Sequence, residues 1–215
     1  MAGFILMAGC STPVQERKVS KSGFLKNYSQ LKSGKDGEVQ LLYINPRANF
    51  AKYQKVMLEP VQMRVKEDSK LAKVPKAEKK ELVNYLATTL REQLKSDYIF
   101  VSKPGPDVMR LRVAITDGKK GKVVMNTVST IIPISLAVDL VKYAATGTHM
   151  AVGEASIEAE GLNSASGVRL FAAVDARSGR KSLMSGNFTK WGDVEDAYNY
   201  CAKQLHIRLA ELSTK

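Results

Sequence analysis

Three glutamates and two arginines are the residues whose types and spacing come closest to catalytic chemistry. Glu154, Glu158 and Glu160 share one face of an alternating segment, and Arg110 and Arg112 share one face of another. On a strand, Glu158 and Glu160 would lie ~7 Å apart at the backbone, which is within the range that an inverting glycosidase needs between its two carboxyl groups. An envelope glycan hydrolase is therefore one hypothesis.

The interpretation that we favour for these residues is a ladder of opposite charges on a solvated face of a sheet. Arg110, Arg112 and Arg169 lie on segments predicted to be neighbouring strands, where they would face the glutamates as counter-ions. A catalytic acid needs a raised pKa, whereas neighbouring guanidinium groups lower the pKa of a carboxyl. We therefore assign this face to an interaction surface and expect no catalytic residue.

Other candidates for chemistry are few, since the chain has two histidines and two cysteines. Cys201 and His206 fall on different faces of a predicted helix, so they form neither a Cys–His dyad nor part of a metal site. The sequence contains no nucleophile elbow and no P-loop. We therefore expect a protein that is not an enzyme and that binds no metal and no cofactor.

Cys10 has a context of its own. Residues 1–9 are uncharged and largely apolar, and Ala8 and Gly9 precede the cysteine. This order resembles the bacterial lipobox, in which the cysteine becomes the lipidated first residue of the mature protein. We therefore expect 1–9 to be the remnant of a longer signal peptide. The alternative is a cytoplasmic chain in which Cys10 is an ordinary buried thiol.

Residues 10–37 are expected to contain the lipidated cysteine, a polar tether and a docking segment. Ser11 resembles the residue found after the cysteine in lipoproteins sorted to the outer membrane, because the usual retention signal there is Asp. The polar stretch that follows suits a tether. Four large side chains then recur at helical spacing and should dock on the domain as a short turn: Phe24, Leu25, Tyr28 and Leu31.

The composition is that of a globular protein with a basic surface. Of the 215 residues, 44% are hydrophobic and 25% are charged, which excludes wholesale disorder, collagen-like repeats and a polytopic membrane protein. The formal net charge of +12 predicts attraction to polyanions. A cytoplasmic nucleic-acid-binding protein is therefore a rival hypothesis, but the lysines are dispersed and no nucleic-acid-binding motif is visible.

Alternation and helical periodicity predict a single α+β domain over 38–215, in which a mainly antiparallel sheet is packed by two long amphipathic helices. Strands are expected over 39–44, 55–65, 98–102, 108–116, 152–161 and 168–175. Pro60 should mark a bulge or an edge position in the second of them. The first helix is expected over 77–95, with a leucine at every fourth position, and the second over 193–212.

An apolar insertion separates two of the strands. Residues 123–138 carry no charge, yet the run is too short to span a bilayer. Ile131 and Ile134 therefore need apolar cover, either from a partner or from the sheet itself. Trp191, just before the last helix, either packs against that helix or marks a ligand surface.

Several motifs occur together in the order found in one family of Gram-negative lipoproteins. They are Ser22-Gly23-Phe24-Leu25, Val56-Met57-Leu58-Glu59-Pro60-Val61, Pro104-Gly105-Pro106, Leu111-Arg112-Val113-Ala114, Val152-Gly153-Glu154-Ala155-Ser156-Ile157-Glu158 and Trp191-Gly192-Asp193-Val194-Glu195-Asp196-Ala197. The chain thus resembles the family catalogued as domain of unknown function thirty-three thirteen. The resemblance implies a lipobox and an envelope location, and it implies no particular activity.

The sequence therefore predicts a lipid-anchored protein of the outer membrane whose domain faces the periplasm. Its expected role is that of a non-catalytic binding or accessory module. The expected partners are the membrane, through the lipid, and an anionic envelope component or envelope protein, with no nucleic acid. The identity of the partner and the oligomeric state stay open.

Overall fold

The computed structural model describes residues 14–15, 20–35, 37–120, 154–178 and 191–214. The strands of these ranges are β1 (Val14–Gln15), β2 (Lys32–Ser33), β3 (Leu41–Ile44), β4 (Lys55–Leu58), β5 (Gln62–Met63), β6 (Ile99–Phe100), β7 (Val108–Lys119), β8 (Glu154–Asn163) and β9 (Arg169–Ser178). The helices are α1 (Lys76–Leu94) and α2 (Gly192–Ser213). Cys10, Ile131 and Ile134 lie outside the described residues.

The strands form one mixed sheet in the order β2-β3-β9-β8-β7-β4-β6, with β1 also pairing with β9 and β5 with β7. The long strands β7, β8 and β9 pair antiparallel and make its centre. The short strands β4 and β5 pair with β7 in parallel. The architecture is therefore α+β, as expected. The parallel pairs were not predicted, and they arise because α1 carries the chain back to the end of the sheet from which β4 starts.

The strand expected over 55–65 is divided into β4 and β5. Pro60 lies between them, and a proline has no N–H to donate to the neighbouring strand. Both pieces keep β7 as their partner, and the Glu59 N–H donates to the carbonyl of Leu111 at 3.0 Å between them. The predicted region therefore does form strands, but it forms two short strands and not the single bulged strand that was expected.

Both helices pack on one face of the sheet. In α1, Leu82, Leu86, Leu90 and Leu94 are each at most 3% exposed. In α2, the buried side chains include Val194, Tyr198 and Leu209. They join the inward side chains of β7 and β8 in the main hydrophobic core, because residues four apart in a helix and two apart in a strand share one face.

Residues 20–31, which we call the docking segment, cover the opposite face of the sheet. Phe24 and Leu25 are 5% and 1% exposed and pack in a second hydrophobic cluster with Ala114, Ala172 and Val174. The segment turns at Gly23, whose φ of 86° is accessible to glycine without strain. Both faces of the central strands are therefore covered.

No helix in the described part of the chain combines the length and the apolar composition that crossing a membrane requires.

Leu86 tests the packing of α1. Because Leu86 is 1% exposed, Leu86→Ala should lower the free energy of unfolding by about 2–5 kcal/mol, as measured by urea denaturation. Thr88→Ala, at an exposed position of the same helix, is the control and should change it by less than about 0.5 kcal/mol. Equal effects of the two substitutions would contradict the assigned helix face.

Candidate functional site

The predicted charge ladder exists, but its centre is buried. Glu160 is 2% exposed and lies opposite Arg112 on β7. One of its carboxylate oxygens is paired with Nη1 of Arg112, and the other accepts from Nε and Nη2 of Arg169 at 3.0 and 2.8 Å. Nε of Arg112 also donates to Glu59 at 3.2 Å. Glu160 is therefore held between two guanidinium groups, which is the cross-strand pairing that the sequence predicted.

Glu158 has a different kind of partner. It is 0% exposed and faces Ala114 and Val174 on its two neighbouring strands, so it finds no cation directly across the sheet. Its Oε1 accepts from the backbone N–H of Ser22 at 2.7 Å. Its Oε2 accepts from the hydroxyl of Tyr28 at 2.5 Å. The docking segment therefore supplies two donors to this buried carboxylate.

The Tyr28 phenol is suited to donate a hydrogen bond to Glu158. Burial, together with the hydrogen bond to Glu158, raises the pKa of the Tyr28 phenol above its ordinary value, so the phenol keeps the proton that it donates. The same oxygen accepts from the backbone N–H of Gly23 at 2.8 Å. Tyr28 thus closes the turn of the docking segment and attaches that turn to β8.

Arg169 holds the docking segment from the other side. Its Nη2 donates to the carbonyl of Leu25 at 2.7 Å, and its Nη1 donates to the carbonyl of Asn27 at 2.8 Å. The guanidinium group of Arg112 lies 4.9 Å from the centre of the Phe24 ring. The arginines that neutralise Glu160 therefore also bind the segment that covers it.

These contacts correct the expectation of a solvated ladder. Glu158 and Glu160 are closed off by the docking segment and cannot present a row of charges to solvent. The pattern of alternation places them on one face of β8, as expected. The segment that covers this face lies more than 120 residues away in the sequence. The helical spacing of Phe24 and Tyr28 was the sequence pattern from which this cover could have been predicted.

The other predicted surface residues lie apart from this centre. Arg110 is half-buried, with Nε 3.6 Å from a carboxylate oxygen of Glu59. Glu154, at the start of β8, pairs with Lys119 at 2.8 Å. The structure thus brings Arg110 and Arg112 together at Glu59 and leaves Glu154 near the other end of the strand.

Trp191 belongs to the main core. It is 4% exposed, and its Nε1 donates to Glu78 on α1 at 3.0 Å. Lys120 also pairs with Glu78 at 3.0 Å and lies 5.0 Å from the centre of the indole ring. These contacts join the start of α2 to the first turn of α1. Of the two alternatives, the described contacts are those of a packed side chain.

An apolar cavity of about 100 Å³ lies between the sheet and the two helices. No sequence pattern predicted it directly. Its floor contains one row of residues paired across four strands: Leu42, Ala173, Ala159 and Val113. Its roof includes Leu86 and Leu90 of α1 and Leu205 and Leu209 of α2.

Two small side chains explain why this space is left open. Ala159 and Ala173 lie directly opposite each other in the centre of the helix-facing side, and both are half-buried. At the neighbouring pair, Phe171 covers Gly161 so closely that an added Cβ would lie 2.3 Å from the ring. A ring therefore fills the position beside the alanines, and no side chain among the described residues fills the position above them.

Polar groups are confined to one end of the cavity. Asp175 pairs with Arg177 at 2.7 Å on β9. Arg208 of α2 pairs with Glu38 at 3.0 Å, and both also line the cavity. This arrangement, an apolar interior with a few polar groups at one end, is typical of small-molecule binding sites.

Cys201 lines the same cavity. Burial, with the nearby Asp175 carboxylate, raises the pKa of its thiol to about 12. The thiol therefore stays protonated at neutral pH and is a poor nucleophile and metal ligand. His206 lies elsewhere, with Nε2 2.7 Å from Asp97, so the described contacts form no Cys–His dyad. Within the described ranges, no group of three or more metal-binding side chains comes together.

A family model described as a protein of unknown function, DUF3313, matches residues 20–205. No curated protein gives a significant match. Among solved structures, a PelC dodecamer from Paraburkholderia phytofirmans is 12% identical, with a TM-score of 0.42 over 77% of this chain and 94% of its own. A neuraminyllactose-binding hemagglutinin homolog from Helicobacter pylori is 11% identical, with a TM-score of 0.41 over 86% of this chain and 97% of its own.

Tyr28 tests the attachment of the docking segment. Tyr28→Phe removes the hydroxyl that binds Glu158, so the free energy of unfolding should fall by about 1–3 kcal/mol and trypsin should cleave faster at Lys26. Tyr43→Phe, which removes a hydroxyl from the same cluster, is the matched control and should change stability by less than about 0.5 kcal/mol. Unchanged cleavage at Lys26 would show that Tyr28 does not hold the segment.

Cys201 tests the burial of the cavity wall. In a Cys10→Ser variant, the thiol of Cys201 should react with a disulfide reagent at pH 8 at least about 100-fold more slowly than in urea, because a raised pKa leaves little thiolate. The rate should stay low up to pH 9, since this is still far below the pKa. A fast reaction of the folded protein would contradict the raised pKa of this thiol.

Proposed function

The chain belongs to the DUF3313 family, whose description assigns no function, and we propose that it is a non-catalytic binding module of the bacterial cell envelope, anchored by lipid on Cys10. The anchor would lie in the outer membrane, with the domain in the periplasm. The proposal combines the predicted lipidation site with the arrangement of the folded residues.

The burial of Glu158 and Glu160 is the observation that carries this proposal. These two carboxylates have the spacing of a hydrolase pair, yet they are 0% and 2% exposed. Glu160 is neutralised by Arg112 and Arg169, and Glu158 is bound by donors of the docking segment. Carboxylates that are closed from solvent and bound in this way cannot protonate or attack a glycan. Their role is to attach the docking segment to the sheet.

The docking segment also connects the domain to the proposed anchor. Ser20, its first residue, follows Cys10 by ten residues, and Val14 in between pairs with Ser178 on β9. An extended chain spans at most ~3.3–3.6 Å per residue, so the four steps from Cys10 to Val14 reach about 14 Å. A lipid on Cys10 would therefore hold the domain close to the membrane surface. Residues 14–15, which were predicted to belong to the tether, pair with β9 in the sheet.

Exposed lysines support an anionic partner in the envelope. Five exposed lysines lie between the end of β5 and the first turns of α1: Lys66, Lys70, Lys73, Lys76 and Lys80. Together with the net charge of +12, they favour contact with lipid phosphates or other envelope polyanions. The rival hypothesis, a cytoplasmic nucleic-acid-binding protein, shares this charge but leaves the lipobox-like sequence before Cys10 without a role.

Lipid labelling tests the proposal. In a Gram-negative host, the wild-type chain should incorporate labelled palmitate and sediment with outer membranes, and Cys10→Ser should abolish both. Cys201→Ala, the matched cysteine substitution, should keep the label, because Cys201 lies in α2, far from the lipobox-like sequence. Equal labelling of wild type and Cys10→Ser, or protein confined to the cytoplasm, would overturn the anchor and with it the proposed function.

A further inference from the structure

We infer that the apolar cavity beneath α2 binds one unbranched acyl chain, whose polar head group stays at the end marked by Arg208 and Glu38. The inference deepens the proposed binding role by naming a class of ligand, and it depends on that proposal only for the source of the ligand. The cavity itself is a property of the folded domain.

The floor of the cavity has the shape of a narrow trough. Leu42, Ala173, Ala159 and Val113 are paired in register across β3, β9, β8 and β7. Neighbouring strands are ~4.8 Å apart, so this row is about 14 Å long. A cavity of about 100 Å³ that extends along this row is narrow, with room for no more than one chain across its width. A branched or polycyclic molecule would need more width than the two alanines leave.

The trough is apolar along its length and closed at one end. The leucines of α1 and α2 line its roof, and α1 packs towards β5 while α2 packs towards β8 and β9. Leu86 and Leu90 of α1 are buried, whereas Ile44 of β3 is 36% exposed. The open end is therefore at β3, beneath the second half of α2. An alkyl chain entering there would exchange water for methylene contacts on all sides.

Polar groups that a head group could contact lie at the corner of this open edge where the chain enters β3. The ion pair between Arg208 and Glu38 joins α2 to the loop before β3, and Arg208 is half-exposed. Behind it, Arg177 donates to the carbonyl of Glu38 at 3.1 Å and to Asp175. The guanidinium group of Arg208 also binds a carboxylate oxygen of Glu211 at 2.8 Å, so an oxygen of a carboxylate, phosphate or glycerol head would share this group with Glu38 and Glu211. The chain behind that head would meet mainly apolar side chains.

A cavity in this place is costly for a protein unless something fills it. Protein interiors are packed to the density of organic crystals, and space left in a core lowers stability. Larger residues at 159 or 173 would fill the trough, because their side chains point into it from the centre of the sheet. Apolar cavities hold water poorly and bind apolar molecules instead. Two alanines facing each other at the centre of the trough therefore keep a space that a ligand can fill.

Binding of dodecanoic acid to the full chain carrying Cys10→Ser is the direct test. The protein should enhance the fluorescence of N-phenyl-1-naphthylamine, and dodecanoic acid should displace the probe. Ala173→Leu should weaken binding of the acid at least tenfold while the melting temperature stays the same or rises, because the leucine fills the trough. Ala165→Leu, the same change at an exposed turn position, should leave binding within twofold of wild type.

A second variant and a second ligand keep this test interpretable. If Ala173→Leu fails to fold, Ala159→Val narrows the same point of the trough by less and should still weaken binding severalfold. Dodecanoic acid and a lysophospholipid with a twelve-carbon chain distinguish a free fatty acid from a lipid, and tight binding of either one supports the site. Affinity equal to wild type in a folded Ala173→Leu variant, or no displacement by either ligand, would overturn the inference.

The two proposals fail in distinguishable ways. The binding test uses protein without a lipid anchor, so a negative palmitate experiment leaves it interpretable. A chain that is lipidated but does not bind dodecanoic acid would keep its proposed anchor and lose this ligand. A chain that binds the acid without lipidation would have the acyl site without the proposed location.

Discussion

The structure depends on how two negative charges are accommodated beneath the docking segment. A buried carboxylate loses its hydration, and only hydrogen bonds and opposite charges can replace it. Glu160 obtains them from Arg112 and Arg169 within the sheet, whereas Glu158 obtains them from Ser22 and Tyr28, which lie outside it. The docking segment is consequently required by the sheet and cannot be treated as a loose leader.

This constraint explains why the docking segment packs on the domain. The sequence places the domain at 38–215, since the regular alternation of strands starts there. The contacts of Phe24, Leu25 and Tyr28 extend the folded unit to about residue 20, where the family match also begins. If Cys10 carries lipid, the anchor and the folded unit are only a few residues apart. A module of this kind would stay near the membrane and could receive a ligand from it.

The two faces of the central strands have different roles. On the face of Glu158, the charges are enclosed and all described partners are internal, so that face stabilises the fold. On the helix-facing side, Ala159 and Ala173 are too small to fill the space beneath α2. The main hydrophobic core and the space beneath α2 therefore lie on the same side of the sheet, whereas the enclosed charges attach the docking segment on the other side.

Local pattern was sufficient for much of this protein. The four-residue leucine spacing predicted α1, the alternation in 108–116 and 152–161 predicted β7 and β8, and the opposite charges predicted the pairing of Glu160 with Arg112. These features depend on residues close in sequence or on the period of an element. Only the tertiary structure decided that Glu158 is buried, that β4 and β5 are parallel to β7, and that Ala159 faces Ala173. These features depend on the register between strands and on contacts between distant segments. The periodicity of a single strand or helix encodes neither the register nor these contacts.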